Sequence, residues 1–271
     1  MKRARKFLLC ALAAVLPLTA QAQDSGDSLE WRATIYGWLP DLSGTTNFPT
    51  GPGGDAPEIS VGVDSILDNL EMTFMGTLAF NKGKWGMATD LLYLDLGNTQ
   101  KNVQDFDLGP GGVPSSVELK ATMDLKAYLW TIAGTYRLHT GENAFADLYV
   151  GARMLDMDQE LSWDFSGDIG ELPLPGRRGS SELSVTNWDY IVGLKGIRGF
   201  GSSGNWFIPW QLDIGAGDSD FVWQAMAGVG YSFNWGGMFL NYRYLDYDNG
   251  SENPVESLTL SGPEVGVVFE W

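Results

Sequence analysis

The last residues of the chain alternate between apolar and other side chains and end on an aromatic residue. Val265, Val267, Phe269 and Trp271 occupy every second position up to the C-terminus. Side chains at this period lie on one face of a β-strand. The terminal segment is therefore predicted to be a strand with one continuous apolar face, which needs either a protein core or hydrocarbon as its surroundings.

The first residues have the features of a secretory signal peptide. Residues 1–6 are rich in Lys and Arg, residues 7–18 are apolar, and Ala20-Gln21-Ala22 matches an A-x-A cleavage site. The apolar stretch is too short to span a bilayer as a stable helix. We predict a cleaved signal peptide over residues 1–22 and a mature chain over residues 23–271.

Charge and cysteine content exclude several classes of function. Removing residues 1–22 leaves 13 basic and 34 acidic residues, a formal charge of −21. A surface this acidic repels the phosphate backbone, so we expect no nucleic-acid partner. Cys10 is the only cysteine and lies inside the signal peptide, so the mature chain has no thiol for disulfides or lipid attachment.

The mature chain has strand patterns separated by turn signals and almost no helical periodicity. It also lacks the run of about 18 apolar residues that a transmembrane helix needs. The ten predicted strands are 31–39, 72–80, 85–96, 117–138, 144–155, 187–198, 206–214, 221–233, 238–247 and 258–271.

The connections between these strands alternate between short turns and longer loops. This pattern predicts strands that run up and down through one layer, with tight turns at one end and elaborate loops at the other. Bacterial outer-membrane barrels place the short turns in the periplasm. We therefore expect both termini on the periplasmic side.

Aromatic residues concentrate at the turn side of the predicted strands, where a lower girdle of a membrane barrel would lie. These residues are Trp31, Trp85, Trp206, Tyr231, Phe233, Trp235 and Trp271. The fold class predicted is all-β, a closed antiparallel up-and-down transmembrane β-barrel of about ten strands, with eight or twelve as alternatives. A periplasmic sandwich or lipocalin-like fold is the competing interpretation, because its strands also alternate between apolar and polar side chains.

Two segments do not fit a single alternation. Residues 91–94 read Leu-Leu-Tyr-Leu, so their facing is ambiguous, and the apolar phase of the fourth strand changes near residues 127–129. A β-bulge at residues 127–129 would explain the change. In the first long loop, residues 64–70 predict a short helix with Asp64 as its N-cap.

If the apolar faces point to lipid, the opposite faces line the lumen. The predicted lumen-lining residues are Arg32, Asp124, Lys126, Asp147, Arg153, Asp189, Lys195, Asp213, Arg243 and Glu264, with Gln224 and Asn241 beside them. Both signs of charge occur. The side chains could form an ion-pair network that fills a narrow lumen, or they could line a narrow aqueous path.

Hydrolytic catalysis has little support in the sequence. The only histidine, His139, lies at a predicted turn, and no G-x-S-x-G or H-E-x-x-H motif is present. Acidic residues cluster at the outer strand ends, at Asp156, Asp158 and Glu160 for example, and leave a carboxylate-only enzyme or weak cation bridging as alternatives to a solvated loop surface. We predict no catalytic residues, no metal site and no cofactor.

The segment W-R-A-T-I-Y-G-W-L-P at residues 31–40, the strand around residues 85–96 and the terminal V-G-V-V-F-E-W together resemble small outer-membrane β-barrel proteins of Gram-negative bacteria, in the opacity/OmpA-like group. The resemblance implies an outer-membrane location and recognition of Val265, Val267, Phe269 and Trp271 by the barrel-assembly machinery. It implies no catalytic residues. The resulting hypothesis is a monomeric, non-enzymatic barrel in contact with outer-membrane lipid and lipopolysaccharide, with a role in envelope structure or surface interaction. A narrow channel for small solutes or ions and an envelope enzyme are the alternatives.

Overall fold

The computed structural model describes residues 28–46, 58–68, 70–104, 115–169, 172–173, 177–201, 204–251, 253 and 255–271. The predicted signal peptide over residues 1–22 lies outside the described residues. The strands are β1 (Leu29–Trp38), β2 (Asp41–Thr46), β3 (Glu58–Val61), β4 (Leu70–Lys82), β5 (Trp85–Gln104), β6 (Ser115–Gly141), β7 (Ala144–Ile169), β8 (Leu172–Pro173), β9 (Arg177–Phe200), β10 (Trp206–Gly217), β11 (Phe221–Phe233), β12 (Gly236–Asp248) and β13 (Val255–Glu270). Within the same ranges, no helix is long and apolar enough to cross a membrane.

Ten of the described strands form a closed antiparallel ring in the order β1, β4, β5, β6, β7, β9, β10, β11, β12, β13. The ring closes where β1 pairs with β13, from Arg32 opposite Glu270 to Trp38 opposite Glu264. Two backbone hydrogen bonds of 2.8 and 3.1 Å join Trp31 to Trp271 at the end of this seam. All ten predicted strands and the predicted up-and-down barrel are confirmed.

The two ends of the barrel differ as the loop lengths predicted. Short turns join β4 to β5, β6 to β7, β9 to β10 and β11 to β12 at one end, which we call the turn end. The other connections lie at the opposite end, the loop end. Strands reach further toward the loop end than predicted, because β7 runs to Ile169 and β9 begins at Arg177.

The first long connection adds a hairpin to the barrel wall. β2 pairs with β13 beyond the β1 seam, and β3 pairs with β2. Pairing between β1 and β4 stops at Ile35 and Gly76. Beyond that point the backbone N–H of Trp38 donates to Met75 Sδ over 3.0 Å, so a thioether replaces a strand partner.

A short helix of about one and a half turns, α1 (Val63–Asp68), lies between β3 and β4. It buries Ile66 against the barrel and leaves Leu67 exposed. The predicted helix is confirmed in place, but Asp64 lies inside its first turn. The predicted N-cap role of Asp64 is therefore wrong.

Apolar side chains cover the outer wall between two sets of aromatic residues. The turn-end set contains the seven predicted aromatic residues, with ring pairs such as Trp206 and Tyr231 at 5.0 Å. A second set lies toward the loop end and includes Tyr93 with Tyr128 at 4.6 Å. Leu240, between the two sets on β12, keeps 55% of its surface exposed. We call this band the apolar belt.

Toward the loop end the two faces of the wall exchange character without any change in backbone phase. In β6, Leu125 and Leu129 are buried inside the barrel, whereas Thr131 and Thr135 take the inner positions nearer the turn end. Leu92, Leu129 and Leu155 are partners in register on three adjacent strands, so the exchange occurs at one level. The bulge predicted at residues 127–129 is wrong. The register shift in β6 lies between Arg137 and His139.

Candidate functional site

The barrel strands enclose a polar chamber in the turn-end half of the lumen. Its volume is about 210 Å³. The chamber exists because inward positions in this half of the barrel carry polar and charged side chains, while the apolar side chains of the same strands point outward. The charged residues that line it are Arg32, Asp90, Asp147, Arg153, Lys195, Arg243 and Glu264.

One part of the chamber ceiling is an ion pair between β7 and β10. Arg153 Nη1 lies 2.8 Å from Asp213 Oδ1, and the two side chains are 1% and 0% exposed. Asp213 also accepts hydrogen bonds from Tyr149 Oη at 2.5 Å and Gln224 Nε2 at 3.1 Å. Gly193 on the intervening strand β9 makes room for this crossing, since a Cβ there would lie 2.6 Å from the Asp213 Cβ.

The other part of the ceiling is centred on Arg243 of β12. Its Nε and Nη2 donate to Gln224 Oε1 over 3.0 and 2.7 Å. Its Nη1 lies 3.6 Å from Glu264 and 3.8 Å from Asp90. Asp90 is held in turn by the hydroxyl of Tyr36 at 2.9 Å. This network connects five strands, β1, β5, β11, β12 and β13. It supplies the pairing and hydrogen bonds that a buried charge such as Arg243 needs to be stable.

The floor of the chamber lies at the turn end and bridges opposite walls. The guanidinium groups of Arg32 on β1 and Arg137 on β6 lie 4.9 and 4.4 Å from the ring centroid of Phe145 on β7. Arg137 also pairs with Asp147, and Arg32 pairs with Glu270 over 2.6 Å. The Arg32 and Glu270 side chains are 30% and 57% exposed, so the floor contacts solvent.

Lys195 lies between floor and ceiling and differs from the other charged lining residues. Its ammonium group lies 5.9 Å from the Tyr149 ring centroid. Asp147 is its partner in register on β7, but Asp147 is engaged by Arg137. Among the described residues, no hydrogen bond or ion pair is made by Lys195.

Beyond the ceiling the lumen is filled by an apolar plug. Its members share an inward position and almost complete burial: Trp38, Leu42, Met75, Leu92, Leu94, Leu96, Leu125, Leu129, Leu155, Met157, Leu245 and Leu258. The space left among them is only about 30 Å³. The guanidinium group of Arg243 lies 4.6 Å from the Trp38 ring centroid and so joins plug and ceiling.

The structure brings together most of the predicted lumen-lining residues. Arg32, Asp147, Arg153, Lys195, Arg243 and Glu264 line the chamber, Asp213 completes its ceiling, and Gln224 and Asn241 also lie on its wall. Asp189 is buried and faces inward, but it lies nearer the loop end. There it accepts hydrogen bonds of 2.9 Å from the backbone N–H and the hydroxyl of Ser219.

Asp124 and Lys126 do not belong to the lumen. They alternate with the buried Leu125 and Leu129, so they lie on the outer face. Lys126 is 58% exposed and lies 3.7 Å from Asp95. The placement differs from the prediction because the apolar face of β6 turns inward at this level.

Several chamber residues were not predicted. Tyr36, Asp90, Tyr149 and Arg137 all occupy inward positions and make the contacts described above. Counting alternate positions from Arg32 would have found Tyr36, and counting from Asp147 would have found Tyr149. Asp90 was hidden because Leu91 and Leu92 follow it directly and obscure the alternation.

The acidic residues at the loop end are spread around the outer face. Asp156, Asp158 and Glu160 alternate with the buried Leu155 and Met157, so they point away from the lumen. Asp156 accepts a hydrogen bond of 3.0 Å from Thr186. In the described part of the chain, no group of three or more His, Cys, Asp or Glu side chains is arranged to hold a metal ion. His139 is exposed at the turn end of β6.

No protein-family model matches the chain, and no curated protein matches it. Among solved structures, the outer membrane protease OmpT from Escherichia coli matches at 9% identity and a TM-score of 0.45, over 93% of this chain and 99% of that one. Ail, the attachment invasion locus protein of Yersinia pestis, matches at 10% identity and a TM-score of 0.34, over 90% and 99%. Neisserial surface protein A matches at 13% identity and a TM-score of 0.31, over 91% and 100%. The chain itself forms a closed antiparallel β-barrel with an outward apolar belt.

Proposed function

We propose that the protein is a non-enzymatic, non-conducting barrel of the bacterial outer membrane that holds its acidic loop end at the cell surface. The apolar belt is the part in contact with lipid. Its loop-end limit is the level at which the two faces of the wall exchange character, because beyond the bilayer the outer face contacts water. The turn end, where β1 begins and β13 ends, then faces the periplasm.

The observation that carries this proposal is the apolar plug above the ion-paired ceiling. A path for water and ions needs polar groups that replace the hydration shell. The plug offers an ion only apolar side chains, and desolvating an ion without replacement partners is very unfavourable. A barrel filled in this way serves as a rigid anchor.

The surface role follows from charge. The mature chain carries −21, and exposed acidic residues such as Asp158, Asp218 and Asp248 lie at the loop end. They repel the anionic groups of lipopolysaccharide unless divalent cations bridge them. We therefore expect lipopolysaccharide contacts to depend on such cations. We also expect the protein to be a monomer.

Single-channel recording in planar bilayers tests the proposal. We expect no conductance steps from the wild-type protein. As a matched control, a barrel with Leu92→Ser, Leu129→Ser and Leu155→Ser replaces three plug residues, which are in register on adjacent strands, by polar side chains. We expect conductance steps from this variant. Reproducible steps from the wild-type protein would overturn the proposal and favour the second candidate, a narrow channel, which the polar chamber supports.

Enzyme activity is tested separately with purified protein and peptide or phospholipid substrates. We expect no turnover. Turnover that disappears in both Asp156→Asn and Asp158→Asn would instead establish a carboxylate-based enzyme at the loop end.

A further inference from the structure

We propose that the polar chamber binds a small organic anion, a carboxylate about the size of benzoate, through the ammonium group of Lys195. An anchor needs no ligand, so this site goes beyond the proposed function. It depends on the chamber and its charges, and not on the plug being closed.

The first argument is the distribution of charge around Lys195. Asp147 and Asp90 attract the ammonium group of Lys195, whereas Arg32 and Arg137 repel it. Asp147 pairs with Arg137, and Asp90 is held by Tyr36, Thr77 and Arg243. The ammonium group is left without an anionic partner of its own in an enclosed space. A bound carboxylate would supply that partner and convert an unpaired charge into a paired one.

The second argument is the size and lining of the chamber. A cavity of roughly 150 Å³ accommodates benzene in a protein interior. The chamber, at about 210 Å³, leaves room for a ring and a carboxylate. Its wall also includes apolar side chains, among them Ala133, Phe207 and Phe239, against which a ring can pack. The chemistry of the site is therefore that of an amphipathic anion, and not of an ion alone.

The third argument is access. The ceiling and the plug close the chamber on the loop side, whereas the floor consists of a single layer. Arg32 in that floor is held by a partly exposed ion pair with Glu270 and by contact with Phe145. Exposed ion pairs contribute little to stability, so Arg32 can move aside. A ligand would enter from the turn end.

Isothermal titration of the folded protein in detergent micelles tests the site, with benzoate as the probe and benzyl alcohol as its neutral counterpart. We expect benzoate to bind the wild-type protein and benzyl alcohol to bind at least about tenfold more weakly. Lys195→Met should weaken benzoate binding by a similar factor and leave benzyl alcohol binding unchanged. Lys195→Arg should retain benzoate binding, and Lys84→Met, at an exposed turn lysine, should match the wild-type protein.

Two results would overturn the proposal: absence of benzoate binding to the wild-type protein, or equal benzoate affinity in the wild-type protein and Lys195→Met. Heat-modifiable gel migration checks that each variant is folded. If Lys195→Met does not fold, the comparison of benzoate with benzyl alcohol on the wild-type protein still decides, since equal affinities would exclude recognition of charge. Loss of this site would leave the conductance result untouched, so the two proposals fail independently.

Discussion

Arg153 on β7 and Asp213 on β10 form an ion pair of 2.8 Å that passes over the intervening strand β9. The pair lies at the boundary between the polar chamber and the apolar plug. On the chamber side Asp213 accepts a hydrogen bond from the hydroxyl of Tyr149. On the plug side Leu155 occupies the inward position that follows Arg153 on β7. The ion pair therefore separates two parts of the barrel interior. The chamber on the turn-end side is lined by polar groups, and the plug on the loop-end side consists of hydrocarbon side chains.

Removing one member of this pair should be strongly destabilising. Asp213→Ala leaves the buried Arg153 guanidinium without its carboxylate, and loss of one partner of a buried ion pair costs about 3–5 kcal/mol. Urea unfolding in micelles, followed by heat-modifiable gel migration, measures the loss. The double variant Arg153→Met with Asp213→Leu should recover much of the stability. A single variant as stable as the wild-type protein would contradict the assignment.

Neighbouring leucines on β5 should respond differently to the same truncation. Leu92→Ala removes a buried side chain from the plug and leaves a cavity, at a cost of about 2–5 kcal/mol. Leu91 lies on the outer face, where fluid lipid chains can fill the space that Leu91→Ala leaves. The free energy of unfolding should therefore fall clearly less in Leu91→Ala than in Leu92→Ala. The same unfolding assay compares the two. Equal losses would mean that Leu91 and Leu92 do not face different surroundings.

The sequence predicted the barrel from local patterns. Turn residues and two-residue alternation identified each of the ten strands, and aromatic positions identified the turn-end girdle. These features depend on a few neighbouring residues, so they are visible without the fold. In β11 the predicted bounds and the observed bounds, Phe221–Phe233, coincide.

The sequence did not predict the exchange of faces toward the loop end. The sequence analysis assumed that apolar side chains point outward along the full length of every strand. This assumption placed Asp124 and Lys126 in the lumen. Whether apolar side chains point outward or inward depends on whether the outer surface contacts lipid or water at that height of the barrel. The sequence of one strand does not show where along the strand the lipid ends. The rung formed by Leu92, Leu129 and Leu155 supplies that information, because register aligns the exchange on three strands.

A charge in the apolar belt should destabilise the barrel in a membrane. Leu240→Arg lies on the outer face of β12 midway between the aromatic sets, and Arg at the middle of the bilayer costs about 2–4 kcal/mol. Asp248→Arg, on the same face of the same strand but at the loop end, should change stability by less than about 1 kcal/mol. Urea titration of folding into lipid vesicles measures both. A tolerated Leu240→Arg would place the bilayer elsewhere on the barrel.

The terminal strand should matter more for assembly in cells than for folding itself. Val265, Phe269 and Trp271 present their side chains outward, and Phe269 packs on Trp235 with ring centroids 5.7 Å apart. We propose that the barrel-assembly machinery recognises this apolar face before the barrel has formed. The finished barrel, in contrast, is held by backbone pairing along the seam with β1. Phe269→Ser should therefore lower the amount of folded protein in the outer membrane of cells, while the purified, urea-denatured variant folds into vesicles almost as the wild-type protein does.

Glu270→Gln is the matched control for Phe269→Ser, because it changes the next residue on the opposite face of the same strand. Its exposed ion pair with Arg32 adds little to stability, so assembly should be normal in cells and in vesicles. Pulse-labelling followed by heat-modifiable gel migration gives the folded fraction in cells. The assembly role is excluded if Phe269→Ser assembles at the wild-type rate in cells, and a defect of the same size in vesicles would show that Phe269 acts on folding and not on recognition.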